Sequence, residues 1–341
     1  MTNDKRLILS PVIAIAAALL VGAILILIAG ANPIAAYTAL FQESVTTYFG
    51  FGNTLTKMAP LLLTSLGVLV ALRAGQFNIG GEGQIYLGAL GSALVGLYVT
   101  GLPSWIHIPL ALSSGFLFAA VWGWIPGYLK AVQGVNEVIS TLLLNYIAFN
   151  FISYLVQNPL KAPNAPSPYS PEIARSAYLP IILPDSLAHA GILLALLVAG
   201  IVWVLLVLSP FGYQIAAVGF NPVASRYSGI SVERTIMLVM ALAGGLAGLA
   251  GAIEVMGAKY RLYEVVSPGY GFDAIAIAFL SRGSVTGVVF ASLFFGALRS
   301  GANVMQRSAG VPVTVVYVIQ GLTVLFIAVS LAVEGKIRAN G

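Results

Sequence analysis

The chain has 341 residues, of which 59% are hydrophobic and 8% are charged. Soluble domains carry about 25% charged residues, so this composition excludes a soluble globular domain and indicates a membrane protein. The net charge of +5 comes from scattered residues, which excludes a nucleic-acid-binding protein, and the absence of cysteine excludes disulfides and thiolate metal sites.

The first half of the chain consists mainly of apolar runs long enough to cross a bilayer. A membrane-spanning helix uses about 20 residues, so the chain has room for about ten. The first run, residues 7–30, follows Lys5 and Arg6 and is too long for a secretory signal peptide. We therefore predict a retained span whose basic end lies in the cytoplasm. Further spans are predicted at residues 55–72, 85–99, 108–125 and 137–156.

Residues 75–84 interrupt these runs with four glycines, two glutamines, one asparagine and one glutamate. A charge at the centre of a span costs about 2.5–3.5 kcal/mol, and irregular backbone survives at membrane depth only where protein buries it or water lines it. The stretch therefore predicts a broken helix beside a cavity that belongs to a transport pathway. The alternative for Glu82 is that its carboxylate only caps the half-helix that follows. The candidate solute-pathway residues here are Phe77, Asn78, Glu82, Gln84 and Tyr86.

The span at 137–156 carries a polar stripe, because Glu137, Thr141 and Asn145 recur every four residues and share one helix face. Such a face turns toward other helices or water rather than lipid. Asn136 is the predicted N-cap of this helix, and Glu137 suits the positive end of its dipole. For Asn145, contact with the solute pathway and a hydrogen bond between helices both stay open.

The second half contains a proline-rich loop at residues 158–187, which we expect on the extracytoplasmic side. Near the C-terminus, two short apolar segments with glycines between them form a second broken region. Matching breaks in two halves are typical of inverted repeats with a binding site between them, and such a repeat is compatible with this sequence. Asp273 lies at the second break, and it is expected either to cap the short helix after it or to touch solute. The apolar segments of this half are predicted at residues 188–208, 236–256, 272–280, 285–298 and 311–333.

Residues 209–234 form a polar interruption between two of these spans. Local signals within this segment predict a helix of about seven residues. Its N-cap is Asn221, its first residue is Pro222, and Gly229 is its C-terminal stop. Such a helix is about 10 Å long, too short to cross the bilayer, so we expect it to lie along the cytoplasmic face.

An even number of crossings places both termini in the cytoplasm, which agrees with the basic residues Lys336 and Arg338 at the C-terminal end. Lys259, Arg261 and Glu264 then lie outside, where positive charge is not expected. They are predicted either to orient a docking protein through its acidic residues or to belong to a solvated loop.

Four stretches of the sequence form a combined signature. They are GQFNIGGEGQIYLGALG at 75–91, GVNEVI at 134–139, AVGFNP at 217–222 followed by Gly229 and Ile230, and GYGFD at 269–273. Together they resemble one family of ABC-importer permeases, which includes permeases for nucleosides, ribose-type sugars and branched-chain amino acids. The similarity is greatest to the nucleoside branch, which works with a binding lipoprotein of the basic-membrane-protein type.

The resemblance implies a single transmembrane permease domain over residues 1–341 in the plasma membrane of a prokaryote. In such importers two permease subunits form the pathway, two ATPase subunits drive it with ATP and Mg²⁺, and an extracytoplasmic binding protein delivers the solute. This chain has no G-x-x-x-x-G-K-[ST] phosphate loop, so we expect a transport subunit without catalytic residues, metal or cofactor of its own. The resemblance also implies a second, related permease rather than a copy, and a nucleoside or simple sugar as cargo.

By the same resemblance, the short helix within 209–234 is the coupling helix that docks onto the ATPase, with Arg226 pairing with an acidic group there. The alternative is an ordinary surface helix that caps two spans. The implied coupling residues are Gly219, Asn221, Pro222, Ser225, Arg226 and Gly229.

The sequence is also compatible with a different class of transport protein. A secondary transporter driven by an ion gradient likewise places broken helices at mid-membrane, and Glu82 would be its titrating carboxylate. A membrane enzyme is disfavoured, because the sequence shows neither G-x-S-x-G nor a metal-binding spacing of His, Asp and Glu.

Overall fold

The structure is a computed structural model that describes the backbone of residues 2–339 and the side chains of residues 13–329, apart from those of residues 324, 327 and 328. The side chains of Lys5, Arg6, Lys336 and Arg338, on which the predicted orientation partly rests, therefore lie outside the described residues. The described chain is built from α-helices and connections without a β-strand. In chain order the helices are α1 Thr2–Ile28, α2 Pro33–Phe41, α3 Tyr48–Arg73, α4 Gly81–Tyr98, α5 Ser104–Gln133, α6 Glu137–Gln157, α7 Gly191–Leu208, α8 Pro210–Phe220, α9 Pro222–Tyr227, α10 Val232–Ile253, α11 Tyr270–Leu280, α12 Val285–Ala309 and α13 Thr314–Ala339.

Six helices of the described chain are long and apolar enough to cross a membrane, namely α3, α5, α6, α7, α10 with the wide π-helical turn Glu254–Lys259 after it, and α12. Three shorter apolar helical stretches are Ile13–Ile28, Tyr270–Leu280 and Thr314–Thr323. The chain is thus an all-helical, multi-pass membrane protein. Helix α4 was predicted to span but is not among the six, because its first turns are polar and glycine-rich.

Two predicted boundaries differ from the structure. The apolar segment predicted at 285–298 continues as one helix to Ala309, because Ser284 caps its start and the next stop signal is Gly310, whose φ is +66°. Likewise, the polar interruption at 209–234 holds two helices rather than one. Helix α8 forms there because Ser209 accepts a hydrogen bond from the Gly212 N–H at 3.0 Å and Pro210 occupies the first helical position.

The chain divides into two compact units. The central unit comprises residues 59–275, and the terminal unit comprises residues 1–58 and 276–341. In the central unit, α4 is packed between α5, α6 and α10, and every residue from Gly81 to Ala93 is buried. The apolar core of the terminal unit joins α1, α2, α12 and α13 through residues that include Ile26, Leu40, Met305 and Val316.

Glycines set the distances from α10 to α4 and α5, because small residues let helix backbones approach closely. A Cβ atom added to Gly88 would collide with the backbone of Gly248, and one added to Gly244 would collide with the carbonyl oxygen of Ala119 on α5. The helix backbones therefore touch directly, and the polar start of α4 is held inside a tightly packed bundle.

Candidate functional site

The break between α3 and α4 is held by a pair of buried amide side chains. The Asn78 Nδ2 donates to Gln84 Oε1 at 3.0 Å, and the Gln84 Nε2 donates to Asn78 Oδ1 at 3.3 Å. Asn78 Oδ1 also accepts from the Gly80 N–H at 2.9 Å. Asn78 is 2% exposed and Gln84 is 1% exposed. These two residues were predicted to line the pathway, and in the structure their polar groups bind one another and the backbone of the break.

Asn145 on α6 supports the same break from the side. Its Oδ1 accepts from the Gly83 N–H at 2.8 Å, and its Nδ2 donates to the Ile79 carbonyl at 2.9 Å. The hydroxyl of Thr141, one turn earlier, accepts from the Ile79 N–H at 3.3 Å. The first residues of a helix leave N–H groups without intrahelical partners, and Asn145 of α6 supplies a partner for one of them, the Gly83 N–H. Of the two roles left open for Asn145, the structure shows the hydrogen bond between elements.

Glu82 joins the two breaks that the sequence predicts. Its Oε1 accepts from the Gly269 N–H at 3.1 Å and its Oε2 from the Gly271 N–H at 2.6 Å. Glu82 is 3% exposed. A carboxylate at a helix N-terminus is stabilised by the free N–H groups and the dipole. Glu82 does cap a helix in this way, but the helix is α11 and not its own helix α4.

Backbone contact between the two breaks requires glycine at position 271. A Cβ atom on Gly271 would collide with the backbone of Glu82, and one on Gly81 would lie 3.6 Å from the Cα of Gly271. Asp273 follows in the first turn of α11, half-buried, and its N–H donates to the Gly269 carbonyl at 3.1 Å. The similar glycine patterns at 75–84 and 269–273 therefore meet in space.

A row of aromatic rings leads from α4 to the exposed face of α6. The ring of Tyr86, which is buried, lies 4.7 Å from that of Phe149, and Phe149 lies 6.1 Å from Tyr146. Tyr146 is 59% exposed, and the exposed Asn150 follows it one turn later. Sequence reasoning missed Tyr146 and Phe149, although their positions next to Asn145 on α6 were a signal. Phe77, at the break itself, is half-buried.

The three charged residues expected to meet a docking protein are bound within the chain. Arg261 pairs with Glu172 of the proline-rich loop at 3.0 Å, and Glu264 accepts hydrogen bonds from Ser153 and Gln157 of α6. Lys259 donates to the carbonyls of Val265 and Val266 and lies 3.9 Å from Glu254. These contacts fasten the 158–187 loop and α6 to the segment that follows α10.

The electrostatics of this loop follow from the same contacts. The Tyr178 hydroxyl donates a hydrogen bond to Glu172. This bond, together with the positive charges of Arg261 and Arg175, lowers the pKa of the exposed Glu172 carboxyl. Partial burial and the neighbouring Glu172 carboxylate raise the pKa of Tyr178 to about 12. The Tyr178 ring stacks on that of Tyr260 at 4.1 Å, so the loop is held by both charge and ring contacts.

The short helix predicted within 209–234 is present as α9. Asn221 caps it by accepting from the Ala224 N–H at 3.0 Å, Pro222 is its first residue, and Gly229 follows it with a φ of +83°. Ser225 is buried, and its hydroxyl donates to the Asn221 carbonyl at 2.9 Å. Arg226 pairs with Glu233 at the start of α10, so its partner in this chain is intramolecular.

Helices α8 and α9 present large apolar side chains to their surroundings. Phe220 is 93% exposed and Tyr227 is 91% exposed, and Tyr213 and Val223 are exposed nearby. A Cβ atom on Gly219 would collide with the Arg73 carbonyl, so the end of α8 lies directly against the turn that leads into the first break. The group Tyr213, Phe220, Val223 and Tyr227 is called the α8–α9 aromatic face below.

These features define a helical membrane protein with two joined helix breaks, and the comparison with known families agrees. A family described as the permease component of branched-chain amino acid transport systems matches residues 50–328. The chain belongs to this family, and it is a permease component of an ABC transporter, a transport subunit rather than a catalyst. Among the described residues there is no cluster of three or more His, Cys, Asp or Glu that could hold a metal ion.

Individual relatives cover most of the chain. The guanosine ABC transporter permease protein NupP of Bacillus subtilis is 39% identical, with 99% of both proteins aligned. The glucose ABC transporter permease protein TsgB13 of Haloferax volcanii is 35% identical over 94% of this chain and 87% of its own length. A second guanosine permease protein of Bacillus subtilis, NupQ, is 30% identical over 72% of this chain and 79% of its own length. No solved structure is significantly similar to this chain.

Proposed function

We propose that this chain forms one half of the solute pathway of an ATP-driven importer for nucleosides, with simple sugars as the second candidate cargo. Relatives named for guanosine and for glucose support these two solute classes. The observation that carries the proposal is the fixed break between α3 and α4, where buried amides and a carboxylate hold irregular backbone inside an apolar bundle. Irregular backbone survives at membrane depth where protein buries it or water lines it, and discontinuous helices at this depth are typical of transporter binding sites.

The pathway wall in this proposal is the exposed face of α6 beside the break. A nucleoside offers a flat ring, amide groups and hydroxyls, and Tyr146, Phe149 and Asn150 offer aromatic surface and an amide to match them. Phe77 is the half-exposed residue of the break that would complete the wall. Asn78, Glu82, Gln84, Tyr86, Asn145 and Asp273 belong to the same pathway in this proposal, chiefly by holding the break and the aromatic row in place.

The partners follow from the α8–α9 aromatic face. We infer that this face docks into a separate ATPase chain, which binds ATP and Mg²⁺ and hydrolyses the nucleotide. The coupling residues are Gly219, Asn221, Pro222, Ser225, Arg226 and Gly229. Exposed aromatic residues are enriched at protein interfaces, and the contact of Gly219 with Arg73 links this face to the first break. The binding protein that delivers the solute is a further chain on the extracytoplasmic side.

The remaining assignments concern assembly and placement. We propose that residues 1–341 form one permease domain with about ten crossings, an inverted repeat and both termini in the cytoplasm of a prokaryotic cell. The second permease is proposed to be a related chain, since Bacillus subtilis has two different guanosine permease proteins similar to this one. No observation favours the ion-driven alternative, because the Glu82 carboxylate accepts hydrogen bonds from two backbone N–H groups.

The test is uptake by the purified complex. The chain is expressed with the genes beside its own, purified through a tag and reconstituted in proteoliposomes with ATP inside. We expect an ATPase to co-purify, and guanosine or glucose uptake to need ATP and to persist when ionophores collapse the ion gradients. Uptake that an uncoupler abolishes, with no ATPase bound to the chain, would overturn the proposal in favour of a secondary transporter.

A further inference from the structure

The terminal unit carries cationic side chains that the proposed pathway and coupling face do not use. Lys57 lies in the first half of α3 and is half-buried, and Arg307 lies in the last turn of α12 and is exposed. Within the described part of the chain, neither forms an ion pair. The one carboxylate of this unit with a described side chain is Glu43, and it is not paired with either cation.

Helices α3 and α12 pack antiparallel in this unit. The Ser300 hydroxyl donates to the Gly50 carbonyl at 3.1 Å, whereas Gly296, one turn earlier, lies against Thr54 and Met58. Advancing along α12 therefore means moving back along α3. The first half of α3 and the second half of α12 lie side by side.

The polar residues of these two halves share one side of the helix pair. Asn53 and Lys57 each precede a contact residue of α3 by one position, and Arg299 precedes the contact residue Ser300 of α12 by one. Moving back by one residue turns a side chain by about 100° around the helix axis. Because α3 and α12 are antiparallel, this turn brings Asn53, Lys57 and Arg299 to the same side of the helix pair. The opposite side is covered by α2, where Gly301 lies against Leu40.

Arg299 is held in position by Tyr317, whose ring centroid lies 5.5 Å from the guanidinium. Asn303 and Arg307 continue the same face toward the end of α12, and both are exposed. The group Asn53, Lys57, Arg299, Asn303 and Arg307 is called the outer basic surface.

The outer basic surface lies at the extracytoplasmic end of both helices in the predicted orientation. Lys57 is near the start of the apolar run 55–72, and Arg299 follows directly after the apolar run 285–298. Lys and Arg are enriched in cytoplasmic loops because they set the orientation of membrane helices. The negative surface potential of lipid that attracts basic residues belongs to the cytoplasmic leaflet. Neither reason accounts for a basic surface on the outside, so a protein partner is favoured over lipid.

We propose that the outer basic surface is the docking site for acidic side chains of the extracytoplasmic binding protein. The proposal rests on the proposed function, since it needs an importer with such a partner. Of the cations first predicted to dock, Arg261 instead pairs with Glu172 of the 158–187 loop, and Lys259 lies near Glu254 and donates to the Val265 carbonyl. Opposite charges across an interface speed and orient encounter. Lys57 and Arg307, which have no ion-pair partner among the described residues, supply the positive charge on this side.

The experiment uses the complete importer in nanodiscs and the purified binding protein loaded with solute. The double variant Lys57→Glu/Arg307→Glu reverses the surface, and Lys57→Gln/Arg307→Gln only neutralises it. The matched control is Lys161→Glu, which reverses an exposed cation of the 158–187 loop. We expect the reversed surface to weaken binding by about tenfold or more at low salt and to flatten its salt dependence. The control should bind like the parent.

Several outcomes would overturn the docking site. They are parental affinity in both double variants, a loss equal to that of Lys161→Glu, a changed KM for solute with unchanged docking, or dependence on added anionic lipid instead. Retained basal ATPase activity shows that the variants fold, and an acidic-to-basic exchange on the binding protein that restores affinity to the reversed variant would support direct pairing. Failure of the parent complex to bind an ATPase would count against the proposed function, and not against this surface.

Discussion

Glu82 lies in the first turn of α4 but satisfies the first turn of α11, 187 and 189 positions away along the chain. Its two oxygens each accept one backbone N–H, and the side chain is almost fully buried. Hydrogen bonds to a charged acceptor are stronger than neutral ones, about 1.5–3 kcal/mol each. We therefore expect this single carboxylate to govern how firmly the two breaks are joined.

Replacing Glu82 with glutamine tests this role. Glutamine keeps the volume but offers one oxygen, and its NH₂ group would face a second N–H donor. We expect a loss of about 1–3 kcal/mol, seen as a lower thermal unfolding midpoint of the purified complex. The control Glu233→Gln removes a half-exposed carboxylate at the start of α10 and should shift the midpoint much less. An unchanged midpoint in Glu82→Gln would show that the charge of the carboxylate is not needed for the joint.

His189, in the loop that leads into α7, is the residue at which this loop should respond to pH. Its ring is buried against Gly191 and Gly257, its Nδ1 accepts from the Gly191 N–H at 3.1 Å, and burial lowers its pKa to about 4. An unfolded histidine has a pKa of about 6.5. Between these two values the unfolded loop binds more protons than the folded loop, so stability falls as the pH drops from about 6.5 to about 4.

We expect hydrogen exchange of residues 181–192 to accelerate at pH 5 relative to pH 7.5, after correction for the intrinsic pH dependence of exchange. At pH 5 the loss of stability is about 2 kcal/mol, taken as about 1.4 kcal/mol for each pH unit between 6.5 and 5. Exchange in α4 provides the internal reference. His189→Phe removes the titrating group, and persistent acid sensitivity of this segment in that variant would contradict the assignment.

The ends of the short helix α9 are determined by capping residues close by in the sequence, and its exposed side chains are available to bind a partner. Asn221, Pro222 and Gly229 fix where α9 begins and ends. Phe220 and Tyr227 have no part in this capping, and their side chains are exposed. An exposed aromatic pair is costly to maintain at a surface unless something covers it. The α8–α9 aromatic face is accordingly where a change in side chain should affect assembly and spare the fold.

The variant Phe220→Ser/Tyr227→Ser is expected to lower the amount of ATPase that co-purifies by tenfold or more, as for interface hot-spot residues, while membrane insertion is kept. Tyr98→Ser, at the far end of α4 and 67% exposed, is the matched control and should retain the ATPase. Pull-down of the tagged chain followed by quantitative blotting measures both. Full retention of the ATPase by the double variant would remove this face from the coupling proposal.

The exposed face of α6 raises the question of what completes the pathway. A polar and aromatic surface on a membrane helix is stable when it faces water or another chain, and the central unit leaves this face of α6 open. A second permease placed there would enclose the solute. In the proposed function this second permease is a related chain.

Co-expression distinguishes a complex of two different permeases from a complex with two copies of this chain. With a related permease gene present, we expect a complex that contains one copy of each permease by native mass spectrometry, and ATP-dependent uptake only from that complex. This chain expressed with the ATPase alone is the control and should not transport. Uptake by a complex holding two copies of this chain would contradict the prediction of a second, related permease.

The membrane class, the position of the first break and the caps at Asn136, Asn221 and Gly229 follow from sequence alone, because each depends on composition or on residues within a few positions of one another. The sequence also marked Glu82, Asn78, Gln84 and Asn145 as polar groups that lipid would not accept. Their partners were not predictable, since a side chain's need for a hydrogen bond does not specify which distant backbone group meets it. Packing of α4 among α5, α6 and α10 places Glu82 against α11. Tertiary contacts elsewhere pair Arg261 with Glu172 and leave Lys57 and Arg307 without a carboxylate among the described residues.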